Sequence, residues 1–156
     1  MAGESPGSLR LDLAAYRELA SKTRLPLTIS ERLMTRWGFR ELIENRAASV
    51  IMPDICWCGG ISEAKKIATM AETYQTPVTF HDCTGPVALT VSTHLALNAR
   101  NCWVQEIVRA FYYGWYHRYV TDLPPIANGM ITVPKGAGLG TRLQPDVLTR
   151  AGVTVK

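Results

Sequence analysis

The stretch PDICWCGGISE, residues 53–63, decides the fold. Asp54 in this stretch follows a short apolar run, and the next short apolar run along the chain ends at His81. Between these two runs, residues 61–74 carry apolar side chains at helical spacing. The pattern predicts a strand, a helix and a second strand, with an ionisable residue after each strand. Such a βαβ unit is the building block of α/β proteins.

The same arrangement recurs on both sides of this unit. Strands are predicted at 25–30, 49–52, 77–80 and 102–105, and helices at 11–22, 35–46, 61–74 and 87–99. The residues at the candidate strand ends, roughly 25 positions apart as one βα unit requires, are Glu4, Glu31, Asp54, His81 and Glu106. Short apolar strands without polar alternation predict a parallel sheet that is buried on both faces. Charged residues at the strand ends favour a (β/α)₈ barrel over an open sheet.

The chain length limits how much of a barrel can be present. A full barrel takes roughly 200–250 residues, and this chain has 156. We therefore expect one domain, residues 1–156, that is the C-terminal portion of a barrel with about five βα units. The units are regular to about residue 106, and residues 107–156 form a C-terminal loop and hairpin extension. In that extension Asn128-Gly129 predicts a two-residue hairpin turn, and the aromatic segment 111–120 is expected in the core or at a subunit contact.

Composition excludes several classes of protein. Hydrophobic residues make up 47% of the chain and charged residues 19%, which is typical of a globular protein. The net charge is +4, but Lys and Arg are scattered, so no nucleic-acid partner is expected. No apolar run approaches the ~18 residues of a membrane span, so no membrane partner is expected either. Four cysteines without a secretion signal favour reduced thiols and a cytoplasmic location.

The strand-end residues form a chemically coherent set. The carboxyl ends of barrel strands meet at one face, so these side chains are expected to converge there. Mg²⁺ prefers carboxylate oxygens and can hold a substrate carboxylate. A histidine beside an aspartate is a general base held in one tautomer. Together, such groups can remove a proton α to a carboxylate.

Six segments carry a resemblance to a known family. They are GESP at 3–6, PLTISERL at 26–33, PDICWCGGISEAKKIA at 53–68, TPVTFHDCTGPVAL at 76–89, NCWVQE at 101–106 and VPKGAGLG at 133–140. The chain resembles the mandelate racemase subgroup of the enolase superfamily, and within it the acid-sugar dehydratases of the galactonate type. The resemblance runs over essentially the whole chain, and its segments stand in the family's order and spacing.

The resemblance implies a role for each strand-end residue. Glu4 and Glu31 correspond to two ligands of a Mg²⁺ ion. Asp54 and His81 correspond to a His–Asp dyad, in which His81 is the base or acid and Asp54 orients it. Glu106 corresponds to a carboxyl group that, when protonated, donates a hydrogen bond to the enolate.

The implied reaction is Mg²⁺-dependent abstraction of the proton α to a carboxylate, followed by dehydration of a sugar acid. Racemisation or epimerisation of a 2-hydroxy acid is the alternative within the family. The family's first metal ligand and its opposite catalytic group precede the segments matched here, so we expect weak or no activity from the chain as given. An open barrel edge also favours association with a second copy.

Four positions depart from the family pattern, among them Phe80, where Pro is common, and Ala137, where Pro is usual in the glycine loop. Ser30 stands where Gly is usual, and Asp82 adds a negative charge where Asn is common, which leaves substrate preference open. Simpler interpretations of the candidate site residues also stay open. Individually, Glu31 could be a first-turn acid, Asp54 a helix cap, His81 a hydrogen-bonded structural residue and Glu106 the start of a solvated loop. An alternative from another class is a non-catalytic half-barrel. Its zinc ligands would be Cys56, Cys58, His81 and Cys83, although structural zinc sites usually space paired cysteines more widely.

Overall fold

The computed structural model describes residues 12–150, which form six α-helices and six β-strands. In chain order the elements are α1 (Leu13–Lys22), β1 (Thr28–Ile29), α2 (Thr35–Glu44), β2 (Val50–Ile51), α3 (Ile55–Cys58), α4 (Ile61–Thr73), β3 (Val78–Phe80), α5 (Pro86–Asn98), β4 (Cys102–Gln105), α6 (Arg109–Gly114), β5 (Ile126–Ala127) and β6 (Met130–Ile131). Short 3₁₀ turns lie at Tyr116–Arg118 and Val147–Thr149. Glu4, with the strand that would carry it, lies outside the described residues. Within these residues no helix is both long and apolar enough to cross a bilayer.

The first four strands form one parallel sheet in the order β1-β2-β3-β4. Each strand pairs with the strand that precedes it in the chain, as in Thr28 with Val50, Ile51 with Val78 and Phe80 with Gln105. A helix connects each strand to the next, which is the βαβ arrangement expected from the spacing. The predicted α/β class and parallel sheet are therefore confirmed, and the sheet corresponds to part of a barrel.

Burial of the strands follows their position in the sheet. Every residue of β2 and β3 is buried, because these central strands have neighbours on both sides and helices packed against them. The prediction that every strand is buried is wrong for the two outer strands: Thr28 of β1 is exposed, and in β4 Trp103 is 61% and Val104 57% exposed. In this sheet β1 and β4 each have a described partner on one side only, so part of their surface remains open.

The helices match their predicted bounds to within about two residues, which is the usual uncertainty of helix ends. Asp12 caps α1 by accepting a hydrogen bond from the amide of Ala15. The stripe of α4 that faces the sheet is made of small and branched residues, Ala64, Ile67, Ala68 and Ala71, all buried. Helix α5 buries residues on most of its circumference, as its small, mostly apolar composition predicts.

The one-turn helix α3 was not predicted from the sequence. It follows β2 directly, and Asp54 is its N-cap, accepting a hydrogen bond from the amide of Cys56. Gly59 ends the helix with a φ of 116° and Gly60 begins α4 with a φ of 88°. The glycine pair is therefore a tight turn between two helices, which suits glycine because other residues rarely adopt such angles.

The chain after β4 packs against the sheet's carboxyl end through its aromatic segment. Tyr116 is fully buried, and its ring lies 4.7 Å from that of Trp115 and 5.9 Å from that of Phe111. The predicted hairpin is present as β5 and β6, with Asn128 and Gly129 both at positive φ as the turn requires.

Candidate active site at the carboxyl ends of the strands

Three of the predicted site residues follow three neighbouring strands. Asp54 comes after β2, His81 after β3 and Glu106 after β4. Since these strands are parallel and adjacent, their carboxyl ends bring the three side chains to one edge of the sheet. The amide of His81 also donates a hydrogen bond of 3.2 Å to the carbonyl of Pro53, which ties the loop of one strand to the next.

His81 and Asp54 form a hydrogen-bonded pair. His81 Nδ1 lies 2.7 Å from Asp54 Oδ2, and the Asp54 side chain is fully buried. The same oxygen accepts a bond from Thr84 Oγ1 at 3.2 Å, while Oδ1 accepts the Cys56 amide at 2.7 Å. Three donors therefore fix the carboxylate. Its position gives His81 a protonated Nδ1 and leaves Nε2 available for proton transfer.

Glu106 faces the other nitrogen of the same imidazole. Its Oε2 lies 4.0 Å from His81 Nε2, and the Glu106 side chain is 38% exposed whereas that of His81 is 15% exposed. Oε2 also accepts a hydrogen bond of 2.8 Å from the backbone amide of Asp82. Glu106 is thus held by the protein beside the imidazole rather than simply beginning a solvated loop. Nε2 and Oε2 are close enough for one polar atom beside them to contact both groups.

Asp82 does not face the gap between His81 and Glu106. It is fully buried, and its carboxylate accepts 2.8 Å hydrogen bonds from the Val108 amide and the Tyr116 hydroxyl. Burial raises the pKa of Asp82 above its usual range, and burial beside this carboxylate raises the pKa of Tyr116 as well. The carboxylate at position 82 is therefore enclosed by the protein and does not face the gap between His81 and Glu106.

Glu31 lies at the end of β1, on the other side of Asp54 in the sheet. Its side chain is 39% exposed, and Arg32 Nε lies 3.9 Å from its carboxylate. It precedes α2 by four positions and is not in the first turn of that helix, so the first-turn interpretation is wrong. Ser30, before it, is buried at a φ of 101°, a left-handed conformation that favours glycine. The Ser30 hydroxyl accepts the Met52 amide at 3.1 Å.

The carboxylates at this edge influence one thiol together. Burial raises the pKa of Cys83, and the negative charges of Asp54, Glu106, Asp82 and Glu31 raise it further. Four acidic side chains therefore lie within electrostatic range of the loop that follows His81. The edge is an anionic environment, which suits a cation or the positive charge of a protonated imidazole.

The residues present do not complete a metal site. Among residues 12–150 no three His, Cys, Asp or Glu side chains lie together in a way that could hold a metal ion. Of the two predicted Mg²⁺ ligands only Glu31 lies in this range, and Glu4 lies outside it. The zinc alternative is wrong in this structure, since Cys56, Cys58, His81 and Cys83 do not form such a group. Cys58 is buried in the core, and Cys56 and Cys83 are exposed.

An ion pair braces the loops that carry Glu31 and Asp54. Arg36, in the first turn of α2, donates to Glu63, in the first turn of α4, through its amide at 2.8 Å, its Nε at 2.8 Å and its Nη2 at 2.7 Å. The hydrogen-bonded guanidinium lowers the pKa of Glu63 to about 2. A two-point Arg–carboxylate contact fixes orientation as well as distance.

Sequence reasoning missed Thr84, Val108 and Tyr116, each of which contacts an acidic residue of this edge. Thr84 belongs to a matched segment, but its hydroxyl carries no signal of its own. Tyr116 reaches Asp82 across 34 positions of chain, a contact that periodicity cannot reveal. The only signal in the sequence was the aromatic segment 111–120, which follows β4 and has a composition typical of buried residues.

Comparison with known proteins identifies the family. The family described as enolase C-terminal domain-like matches residues 4–147. A D-galactonate dehydratase from Ralstonia pickettii is 34% identical over 131 residues, which cover 80% of this chain and 34% of that protein. A D-xylonate dehydratase from Haloferax volcanii is 30% identical over 130 residues, which cover 83% of this chain and 31% of that protein. The chain thus spans about a third of the length of these relatives.

Solved structures agree. An enolase of the mandelate racemase subgroup from Agrobacterium tumefaciens is 54% identical with a TM-score of 0.80, over 88% of this chain and 37% of that one. A member of the enolase superfamily from Salmonella Typhimurium is 36% identical with a TM-score of 0.83, over 90% of this chain and 36% of that one. The fold, the family match and these relatives agree: the chain belongs to the enolase C-terminal domain-like family, and it is similar to members of the mandelate racemase subgroup.

Proposed function

We propose that this chain carries the His–Asp acid–base part of an acid-sugar dehydratase site. The observation that supports this most directly is the 2.7 Å contact between His81 Nδ1 and Asp54 Oδ2, with His81 Nε2 directed toward Glu106. The named activities of the dehydratase relatives suggest a sugar acid that bears hydroxyl groups on C2 and C3.

The proposed chemistry uses His81 Nε2 twice. It first takes the proton from C2 of the acid, and Asp54 stabilises the imidazolium that forms. Nε2 then gives this proton to the C3 hydroxyl, which leaves as water, and the resulting enol becomes a 2-keto-3-deoxy acid. Glu106, in its protonated form, donates a hydrogen bond to the enolate in this scheme. Each step uses a group of this chain.

Mg²⁺ dependence is also a proposal, supported by the family resemblance and by Glu31 at the end of β1. A bound Mg²⁺ would neutralise charge on the substrate carboxylate. The described residues supply one of the predicted ligands and no group of three, so no step above depends on the metal. For the same reason we propose that the 156-residue chain alone is weakly active, with a turnover below about 1 s⁻¹, the lower end of the usual enzyme range.

The test is an NMR assay in D₂O with D-galactonate or D-xylonate, with MgCl₂ or EDTA. It follows formation of the keto acid and exchange of the C2 proton. The matched variants are His81→Asn and His117→Asn, since His117 is exposed and its side chain makes no hydrogen bond to His81 or Asp54. We expect weak, His81-dependent turnover that falls by about 10²–10⁴-fold in His81→Asn, the usual contribution of a general acid–base group. His117→Asn should behave as the wild type.

Four outcomes of this assay would refute a part of the proposal or favour its alternative. Equal rates in wild type and His81→Asn would refute the role of His81. Exchange at C2 without keto acid would favour the racemase or epimerase alternative. A turnover above about 1 s⁻¹ would refute the expected weakness of the chain. Neither product nor exchange in the wild type would refute the claim that these residues act in this chain.

A further inference from the structure

Asp82 has contacts at both ends of the segment that carries Glu106. Its backbone amide donates to Glu106 Oε2, and its carboxylate Oδ2 accepts the Val108 amide, each at 2.8 Å. The other carboxylate oxygen accepts the hydroxyl of Tyr116 at 2.8 Å. Asp82, the residue next to His81, therefore bonds to the 106–108 segment at two points and to the aromatic segment at a third.

These contacts are rigid because the residues that make them are buried. Asp82 and Tyr116 are both fully buried, and the Tyr116 ring packs at right angles against Trp115. A buried carboxylate with two donors has no water to replace either of them, so losing one donor is costly. The carboxylate is thus confined, and it confines Val108, two positions after Glu106.

Without these contacts the Glu106 side chain would not be fixed beside His81. It is 38% exposed, and its contact with His81 Nε2 is 4.0 Å, too long to be a hydrogen bond that holds it. The short contact that does hold it is the Asp82 amide. That amide stays aligned only while the 106–108 segment stays against residue 82.

We propose that Asp82 is a positioning residue: its buried carboxylate holds Val108 and Tyr116, and so keeps Glu106 on the Asp82 amide and beside His81 Nε2. Since Glu106 has a catalytic role only in the proposed dehydratase site, the importance of this device rests on the proposed function. The device explains why a negative charge at position 82 is compatible with an acidic substrate, because the charge faces the protein interior.

The test reads the backbone amide of residue 82, which remains in every side-chain variant. Hydrogen–deuterium exchange is measured by NMR on the full chain, with the amide of Val78, bonded to the carbonyl of Asn101, as internal reference. In Asp82→Ala the amide of residue 82 should exchange at least about tenfold faster relative to the reference, as expected when a local hydrogen bond opens freely. Asp82→Asn should rescue protection, since its oxygen can accept the Val108 amide while its NH₂ donates to the Tyr116 hydroxyl.

Two further variants keep the test decisive. Asp122→Ala removes an exposed carboxylate and should leave the amide of residue 82 unchanged. If Asp82→Ala does not fold, Val108→Pro removes the donor to Asp82 while the φ of −84° at this helix N-cap suits proline, and the same acceleration is expected.

Unchanged protection in Asp82→Ala, or in Val108→Pro if the first does not fold, would overturn the proposal. Loss of protection in Asp82→Asn equal to that in the alanine variant would overturn it too. The readout is independent of turnover, so an inactive chain with the predicted exchange pattern would refute the proposed function and leave the positioning role standing.

Discussion

The two carboxylate oxygens of Asp54 have different hydrogen-bond partners, and substitutions at this position can separate their effects. Oδ1 accepts the Cys56 amide and caps α3, while Oδ2 accepts from His81 Nδ1. Asp54→Ala removes both contacts, together with the weaker 3.2 Å bond from Thr84 to Oδ2. Loss of an N-cap costs about 1 kcal/mol, and loss of a buried hydrogen bond to an ionised group costs about 1.5–3 kcal/mol. We therefore expect Asp54→Ala to lower the free energy of unfolding by about 2–4 kcal/mol.

Asp54→Asn separates the two contacts because an amide has one oxygen. If that oxygen continues to cap α3, the NH₂ group faces His81 Nδ1, which must then lose its proton and become an acceptor. Asn caps helices about as well as Asp, so the free energy of unfolding should fall by only about 1 kcal/mol. The wrong tautomer should lower any His81-dependent turnover by as much as His81→Asn does, about 10²–10⁴-fold, because Asp54 acts through His81.

Urea unfolding measures the stability of both variants, and ¹⁵N NMR of the imidazole reports which nitrogen of His81 carries the proton. The wild type should show the Nδ1–H tautomer of neutral His81. Equal stability of Asp54→Ala and Asp54→Asn, or retention of the Nδ1–H tautomer together with the α3 cap in Asp54→Asn, would refute this division of roles. Thr84→Val is the matched control, since it removes only the 3.2 Å contact to Oδ2 and should leave the tautomer unchanged.

Three further predictions concern stability and assembly. The paired Glu63 has a pKa of about 2 against an ordinary 4.5; its contact with Arg36 should stabilise the fold above pH 4.5 and be lost as pH falls toward 2. Glu63→Gln should thus lower Tm at pH 7 and lower it less with falling pH; an equal deficit throughout would contradict this. Leu42 is fully buried, so Leu42→Ala should lower the free energy of unfolding in urea by about 2–5 kcal/mol. Leu97 is 60% exposed, so Leu97→Ala should lower it by less than about 1 kcal/mol. Similar losses in the two variants would contradict the assigned core. If the open strand β4 mediates self-association, Trp103→Lys should reduce the dimer fraction in light scattering, and an unchanged fraction would exclude this surface.

Much of the fold could be predicted because its signals are local. Short apolar runs such as Val50-Ile51, bounded by turn residues, favour buried strands, and the stripe of α4 has helical spacing. Strand lengths were overestimated, since Leu25 lies in a predicted strand but is 74% exposed and precedes β1. The turn helix α3 was missed because four residues are too few to show a period.

The site could be predicted only as far as strand ends reveal it. Asp54, His81 and Glu106 were predicted as candidate site residues because each closes an apolar run, and the structure brings them together at one edge of the sheet. The environment of Asp82 could not be predicted, because it depends on Tyr116, whose hydroxyl reaches it from a segment without strand or helix periodicity. The direction in which a charged side chain points is a tertiary property, and sequence pattern alone left it open.

The order of the sheet has a consequence for how the chain folds. Bonds between neighbouring strands and their loops span 22, 27 and 25 residues, from β1 to β2, β2 to β3 and β3 to β4. Each strand finds its partner in the segment synthesised just before it, so no early strand must wait for a distant one. Such a chain can assemble in the order of its translation, one unit at a time, on the ribosome. The last strand added is β4, and the surface it leaves open is where growth of the sheet stops in the described residues.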